Sequence, residues 1–95
     1  SDAIKMLINT IRIDPDFSDA HFMLGKIYYK MKNIHKSIES VQQAIVLKPD
    51  ISERHIFLGE LYLENNDKNS ALQEYKILKN LDKNSANKLF EKIYK

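Results

Sequence analysis

Residues 18–28, which read SDAHFMLGKIY, return in recognisable form as residues 52–62, which read SERHIFLGELY. The residues that keep their places, each 34 positions later, are Ser18, His21, Leu24, Gly25 and Tyr28, recurring as Ser52, His55, Leu58, Gly59 and Tyr62. Self-similarity at a fixed period of this size is typical of stacked repeat proteins, whose neighbouring units bury one continuous core. The period therefore constrains the fold more tightly than any single motif does.

Apolar spacing and helix-breaking residues divide the chain into six predicted helices and no strand. In the first helix, Ile4, Leu7, Ile8 and Ile11 follow the three- and four-residue steps of an amphipathic helix. Pro15 ends it, because the residue before a proline is pushed out of the α region. The predicted helices span residues 2–13, 18–31, 34–47, 52–64, 68–81 and 86–95, with Ser18, Ser52 and Ser85 as expected N-caps and residues 82–84 as the last break.

Gly25 and Gly59 fall in the middle of predicted helices, where glycine costs about 1 kcal/mol relative to alanine. A glycine kept at the same place in both copies indicates that another helix approaches closely there.

The repeated positions resemble the tetratricopeptide repeat, a 34-residue helix–turn–helix unit with Leu, Gly and Tyr positions in its first helix. The matching residues are Leu24, Gly25, Tyr28, Ser37, Val41, Ala44 and Pro49 in one unit, and Leu58, Gly59, Tyr62, Ala71 and Tyr75 in the next. The sequence departs from the family pattern at four places. His21 and His55 stand where a bulky aromatic is usual, Leu78 where a small residue is usual, and Lys83 where proline is common.

The resemblance implies an all-α fold, a right-handed α-solenoid of antiparallel helix hairpins in one domain over residues 1–95. In this register residues 1–17 are a half repeat that supplies a second helix only. Residues 18–51 and 52–85 are complete repeats, and residues 86–95 form a C-terminal capping helix.

The resemblance also implies a non-enzymatic scaffold that binds a peptide or protein segment in the concave groove of the repeats. The residues at groove positions are Asp19, Phe22, Lys26, Tyr29, Lys30, Glu53, Ile56, Glu60, Leu63, Glu64 and Phe90. Asn87 and Tyr94 of the last helix are further candidates for the groove lining. This set predicts an apolar strip with a basic half and an acidic half. Chaperone C-terminal tails are disfavoured as partners, because Glu60 and Glu64 would repel an acidic tail.

Two other functions stay open at this point. Ile4, Leu7, Ile8 and Ile11 lie on a helix with no earlier hairpin partner in the chain, so this stripe predicts a self-association surface. Lysines alternate with aromatics at residues 26–30 and 88–94, a pattern that single-strand nucleic-acid sites use. The acidic residues near them make nucleic acid the weaker hypothesis.

The amino-acid composition and the absence of certain motifs exclude several classes of function. The chain has no cysteine and a net charge of only +2, so it offers no thiol chemistry and no general polyanion surface. No catalytic, phosphate-binding or metal-ligand motif is present, so we expect no enzyme activity, cofactor or metal. His21 and His55 are interpreted as packing residues rather than as a metal or pH-sensing pair.

No apolar run is long enough to span a bilayer, and the first residues do not have the pattern of a signal peptide. The chain does not begin with methionine, so we expect that further repeats or targeting segments can precede it. The compartment stays open, with the cytoplasm favoured.

Overall fold

A computed structural model describes residues 1–95 and contains six α-helices. They are α1 (Asp2–Ile13), α2 (Ser18–Lys30), α3 (Ile34–Leu47), α4 (Ser52–Glu64), α5 (Lys68–Leu81) and α6 (Lys83–Ile93). The prediction of an all-α chain is confirmed, and the first five helices match the predicted bounds within one residue. The helices fall into two units, unit 1 (Ser1–Pro49) and unit 2 (Asp50–Lys95).

In unit 1, α2 and α3 form a helical hairpin and α1 packs on α2. The core of the hairpin consists of buried apolar side chains, namely Ala20, Phe22, Leu24, Ile38, Val41 and Ala44. Gly25 lies where α3 approaches α2 closely, since an added Cβ would meet Val41 Cγ2 at 2.6 Å. The Ser37 hydroxyl donates to the Gly25 carbonyl at 2.7 Å, so the two helices are also linked by a buried hydrogen bond. The predicted close approach at Gly25 is confirmed.

In unit 2, α4, α5 and α6 each pack on the other two. Their core contains Leu58, Leu61, Ala71, Leu78, Ala86, Leu89 and Ile93. Gly59 again marks a close approach, but its neighbour is on α6: an added Cβ would lie 2.7 Å from Leu89 Cδ2. The two equivalent glycines therefore serve different helix pairs.

The turns between α2 and α3 and between α4 and α5 have the same hydrogen-bond geometry. Lys32 and Asn66 adopt left-handed backbone angles, with φ of 63° and 58°. The Asn33 amide donates to the Tyr28 carbonyl at 2.9 Å, and the Asp67 amide donates to the Tyr62 carbonyl at 2.8 Å. In each turn the amide of the preceding residue makes a second, shorter-range hydrogen bond. The two bonds together form a Schellman motif, which satisfies the last carbonyls of a helix.

The chain breaks at residues 14, 48 and 82, each an extended residue at a helix C-terminus, with φ of −133°, −141° and −161°. Prolines follow the first two breaks, whereas Lys83 follows the third. At the third break the Asp82 carboxylate caps α6 by accepting hydrogen bonds from the Asn84 and Ser85 amides. The expectation of a break over residues 82–84 was wrong, because Asp82 alone separates α5 from α6.

The predicted serine N-caps were wrong in all three places. Ser18 and Ser52 are the first residues of their helices, where neither Phe17 nor Ile51 provides a side-chain cap. The Ser18 hydroxyl is buried with no hydrogen-bond partner. Ser85 donates its hydroxyl to the Asp82 carboxylate at 2.8 Å, so it supports the cap and is not the cap itself.

Candidate functional site

A surface groove of about 800 Å³ in unit 2 is bordered by α4 and α6. We call it the α4–α6 groove. Its lining residues are Ile56, Glu60, Lys88, Phe90, Glu91, Lys92, Tyr94 and Lys95. A cavity of this volume is in the range that binds small molecules or several side chains of a peptide.

Close packing of α4 against α6 beneath the groove fixes the distance between its two walls. Leu89 is fully buried and lies directly against Gly59, so the helix backbones are fixed at a short distance. Ile56 on α4 is half-buried and packs against the core cluster that includes Leu89 and Ile93. The walls of the groove are therefore rigid helices, which preserve the spacing of the side chains they carry.

The apolar part of the groove is formed by Ile56 and two exposed aromatic rings. Phe90 and Tyr94 are 43% and 54% exposed, and their ring centroids are 4.7 Å apart. Phe90 also contacts Tyr75 of α5, with centroids 5.3 Å apart. Aromatic rings that stay accessible while their positions are fixed by neighbours are good contact groups, because little conformational freedom is lost on binding.

The charged part of the groove has an ion pair that joins its two walls. Lys92 Nζ on α6 contacts Glu60 Oε2 on α4, and both side chains remain partly exposed. Lys88, Glu91 and Lys95 complete the charged part of the lining. A half-exposed ion pair of this kind contributes little to stability, because water screens the attraction between the two charges.

Lysines also border the aromatic side of unit 2. Lys68 Nζ lies 4.5 Å from the centroid of the Tyr94 ring, and Lys79 Nζ lies 5.6 Å from that of Tyr75. A smaller hollow of about 190 Å³ is lined by Tyr75, Lys79, Lys83, Ala86 and Asn87. The aromatic row is thus flanked by cations at both ends.

Of the predicted groove residues in unit 2, the structure brings Ile56, Glu60 and Phe90 together with Tyr94 in the α4–α6 groove. Glu53 and Glu64 are exposed outside this lining, and Leu63 packs partly against the core. The sequence did not predict that Lys88, Glu91, Lys92 and Lys95 line the groove. The signal that would have found them is the helical register of α6 against α4, which the sequence alone leaves open.

Of the predicted groove residues in unit 1, Asp19, Lys26, Tyr29 and Lys30 are exposed on α2. Phe22 differs: it is only 8% exposed, and Lys26 Nζ covers its ring at 5.2 Å from the centroid. Its assignment as a contact residue needs correction, because a side chain so deeply packed offers a partner very little area.

The predicted self-association stripe on α1 is partly covered. Ile4, Leu7 and Ile11 are half-buried on the helix that packs on α2, and Ile8 is 50% exposed. The most exposed apolar side chains of α1 are Met6 and Ile13, at 70% and 75%, which the stripe did not include.

The histidines are placed by hydrogen bonds. His55 is buried, with Nδ1 2.7 Å from Glu74 Oε1, and His21 Nε2 lies 3.1 Å from the Pro15 carbonyl oxygen.

No cluster of three or more histidine, aspartate or glutamate side chains is arranged to hold a metal ion. None of the six helices combines the length and apolarity that crossing a membrane requires.

These features define a class of protein. Residues 18–51 match the tetratricopeptide repeat family, which confirms the resemblance drawn from the repeated positions. The fold is that of helical-repeat scaffolds, which typically are not enzymes and use their helix faces to bind other proteins.

Among solved structures, the chain is similar to those of MamA. The fragment "MamA 41-end" from Desulfovibrio magneticus RS-1 has a TM-score of 0.80 and 23% identity, over 85% of this chain and 46% of that chain. A second MamA crystal structure has a TM-score of 0.75 and 25% identity, over 94% of this chain and 47% of that one. The chain thus spans slightly less than half of these structures, and the likeness shows the fold. Among curated protein sequences, none matches the chain.

Proposed function

We propose that this chain is a non-enzymatic interaction module that binds a peptide segment of another protein in the α4–α6 groove. The observation that supports this is the combination of Ile56, Phe90 and Tyr94 with a charged rim in one cavity of about 800 Å³. Exposed apolar groups with polar rims usually mark interaction sites. Helix grooves of this kind bind segments through a few apolar anchors and charged contacts at the edge.

The repeat boundaries predicted from the sequence, residues 18–51 and 52–85 with flanking residues 1–17 and 86–95, form part of this proposal. On α2, Asp19, Lys26, Tyr29 and Lys30 offer a second exposed surface of mixed charge. We expect it to contribute contacts of its own in unit 1, without Phe22.

Site-specific photo-crosslinking tests the proposed groove. Benzoylphenylalanine placed at Lys88 or Lys95 is expected to form discrete crosslinks to a protein in a lysate of the native organism. The matched control carries the same group at Lys76, which is exposed on α5 and does not line the groove. Equal crosslinking from all three positions, or none from Lys88 and Lys95, would show that the partner binds elsewhere.

Self-association through α1 is the second candidate, with another copy of the chain as the occupant. It is supported by the exposure of Met6 and Ile13, which leaves two large apolar groups on one face of α1. Sedimentation velocity over a range of concentrations is expected to show a dimer that Met6→Glu with Ile13→Glu converts to monomer. A monomer at every concentration in the unmodified chain would refute this candidate.

A further inference from the structure

We propose that the α4–α6 groove selects acidic segments and that Glu60 is a built-in competitor for the partner's carboxylates. This inference rests on the proposed peptide-binding function. It adds the charge of the partner and assigns Glu60 and Lys92 opposite effects on affinity.

The first argument is the charge of the lining. The groove has three lysines (Lys88, Lys92 and Lys95) and two glutamates (Glu60 and Glu91). Lys92 and Glu60 pair with each other across the groove. Beyond the lining, Lys68 Nζ lies over the Tyr94 ring, so a further cation stands beside the aromatic wall. Residues 68–95 as a whole carry seven basic and three acidic side chains. The surroundings of the aromatic rings therefore favour an anionic partner.

The second argument is the state of Glu60. From sequence alone, Glu60 would repel an acidic partner. The structure places its carboxylate on Lys92, and Glu64, the other predicted source of repulsion, does not line the groove. The negative charge of Glu60 is thus already compensated by a cation of the same cavity.

The third argument is that the pair can be exchanged. The Lys92 side chain is 51% exposed and that of Glu60 is 35% exposed, so both can be reached from solvent. A carboxylate of the partner can replace Glu60 on Lys92 while further carboxylates approach Lys88 and Lys95. A neutral segment gains nothing from these lysines, so the exchange favours acidic sequences.

A protein segment fits these observations better than a nucleic acid does. Glu60 and Glu91 lie in the same lining and would face a phosphate backbone. Phe90 is packed against both Tyr75 and Tyr94, with ring planes tilted by 46° and 47°, so the three rings do not form parallel platforms for successive bases. Apolar side chains of a peptide, in contrast, can contact such rings from any angle.

The experiment is a selection from a random peptide library displayed on phage, with the whole chain immobilised. We expect Asp and Glu to be enriched in the selected peptides beside one or two large apolar residues. A labelled selected peptide is then titrated against the variants by fluorescence anisotropy. Glu60→Gln is expected to tighten binding by roughly threefold to tenfold, and Lys88→Gln with Lys95→Gln to weaken it by a similar factor. Lys76→Gln, which removes the same charge outside the groove, is expected to leave the affinity unchanged.

The possible outcomes separate this inference from the function beneath it. Enrichment of neutral or basic peptides would overturn the acidic selectivity while leaving the groove as a binding site. Weaker binding by Glu60→Gln would also overturn it, since Glu60 would then contact the partner instead of competing with it. Failure to select any peptide, together with failed crosslinking from Lys88 and Lys95, would refute the proposed function itself. If a labelled mixed-sequence single-stranded DNA binds more tightly than any selected peptide, the partner class is wrong. Circular dichroism of every variant shows whether the fold is retained.

Discussion

His55 Nδ1 and Glu74 Oε1 lie 2.7 Å apart in the interior of unit 2, where α4 packs on α5. Both residues are more than nine-tenths buried. His55 stands where the repeat usually has a bulky aromatic, so here a polar contact replaces part of the apolar packing. The packing of α5 on α4 is therefore expected to depend on the identity of residue 55.

Replacing Glu74 with Ala is expected to lower the free energy of unfolding by about 2–3 kcal/mol, because the His55 ring is left buried without this partner. Chemical denaturation followed by circular dichroism measures the change. The neighbouring exposed Gln73→Ala serves as the control and should change it by less than about 0.5 kcal/mol. The double variant His55→Phe with Glu74→Leu should recover most of the loss, since apolar groups of similar size can replace a buried polar pair. If the double variant is as unstable as Glu74→Ala, the pair is not the cause.

Gly25→Ala is expected to destabilise the chain by about 1–3 kcal/mol, despite the higher helix propensity of alanine. The new Cβ would lie 2.6 Å from Val41 Cγ2 and 3.3 Å from the Ser37 carbonyl oxygen, and neither the β-branched Val41 nor the backbone can move easily. Val41→Ala combined with Gly25→Ala should cost less than the sum of the two single variants. Additive losses in the denaturation midpoints would contradict the contact.

Lys32→Gly is expected to stabilise unit 1 by about 0.5–1 kcal/mol, because Lys32 has a φ of 63°, a conformation that glycine adopts without steric cost. The same change at Asn66, with a φ of 58°, should give a smaller gain, since asparagine tolerates left-handed angles better than lysine. Thermal melting of the two variants compares them directly. A loss of stability in Lys32→Gly would show that the flexibility added to the unfolded chain outweighs the relief of strain.

The α5–α6 junction is expected to weaken in acid. Hydrogen bonds from the Ser85 hydroxyl and amide lower the pKa of Asp82 below its ordinary value of 3.8, despite an opposing effect of partial burial. The carboxylate therefore contributes its full stabilisation above 3.8, and that contribution is lost as the pH falls through the lower pKa of the folded state.

Thermal melting between about pH 5 and about pH 2.5 tests this dependence. The melting temperature of Asp82→Asn should fall less steeply in acid than that of the unmodified chain. Asp67, whose pKa is lowered chiefly by the Ser70 hydroxyl, should behave in the same way. The exposed Asp50→Asn makes the same charge change without a cap. Identical slopes in Asp82→Asn and the unmodified chain would refute the assignment.

Much of the fold could be predicted because it depends on local chemistry. Pro15 and Pro49 mark two helix ends, and the 34-residue recurrence of Gly25 as Gly59 predicts two close helix contacts. The left-handed turns follow the same period at Lys32 and Asn66. The helix ends and turns depend mainly on the residues next to them, and the repeat period indicates the glycine contacts, so a single sequence displays these features.

Other features depend on which side of a helix faces a neighbour. Ser18 has the right chemistry for an N-cap, yet it is buried one position inside the helix. Phe22 occupies a groove position of the repeat but packs inward. Glu74 has no sequence mark that pairs it with His55, 19 residues earlier. The relation of Lys92 to Glu60, 32 residues apart, likewise requires the packing of α6 on α4. Helix periodicity gives the angles within a helix but not the rotation of one helix against another.

The packing of unit 2 has a consequence for how the chain acquires its fold. The α4–α5 and α5–α6 contacts join helices that are consecutive in the chain, so their formation closes only short loops and is expected to be fast. The α4–α6 contact spans a longer stretch of chain and requires α6 to find the Gly59 face of α4. The groove between these helices is therefore expected to be completed late in folding, so that a nascent or partly folded chain lacks this binding surface until α6 has packed on α4.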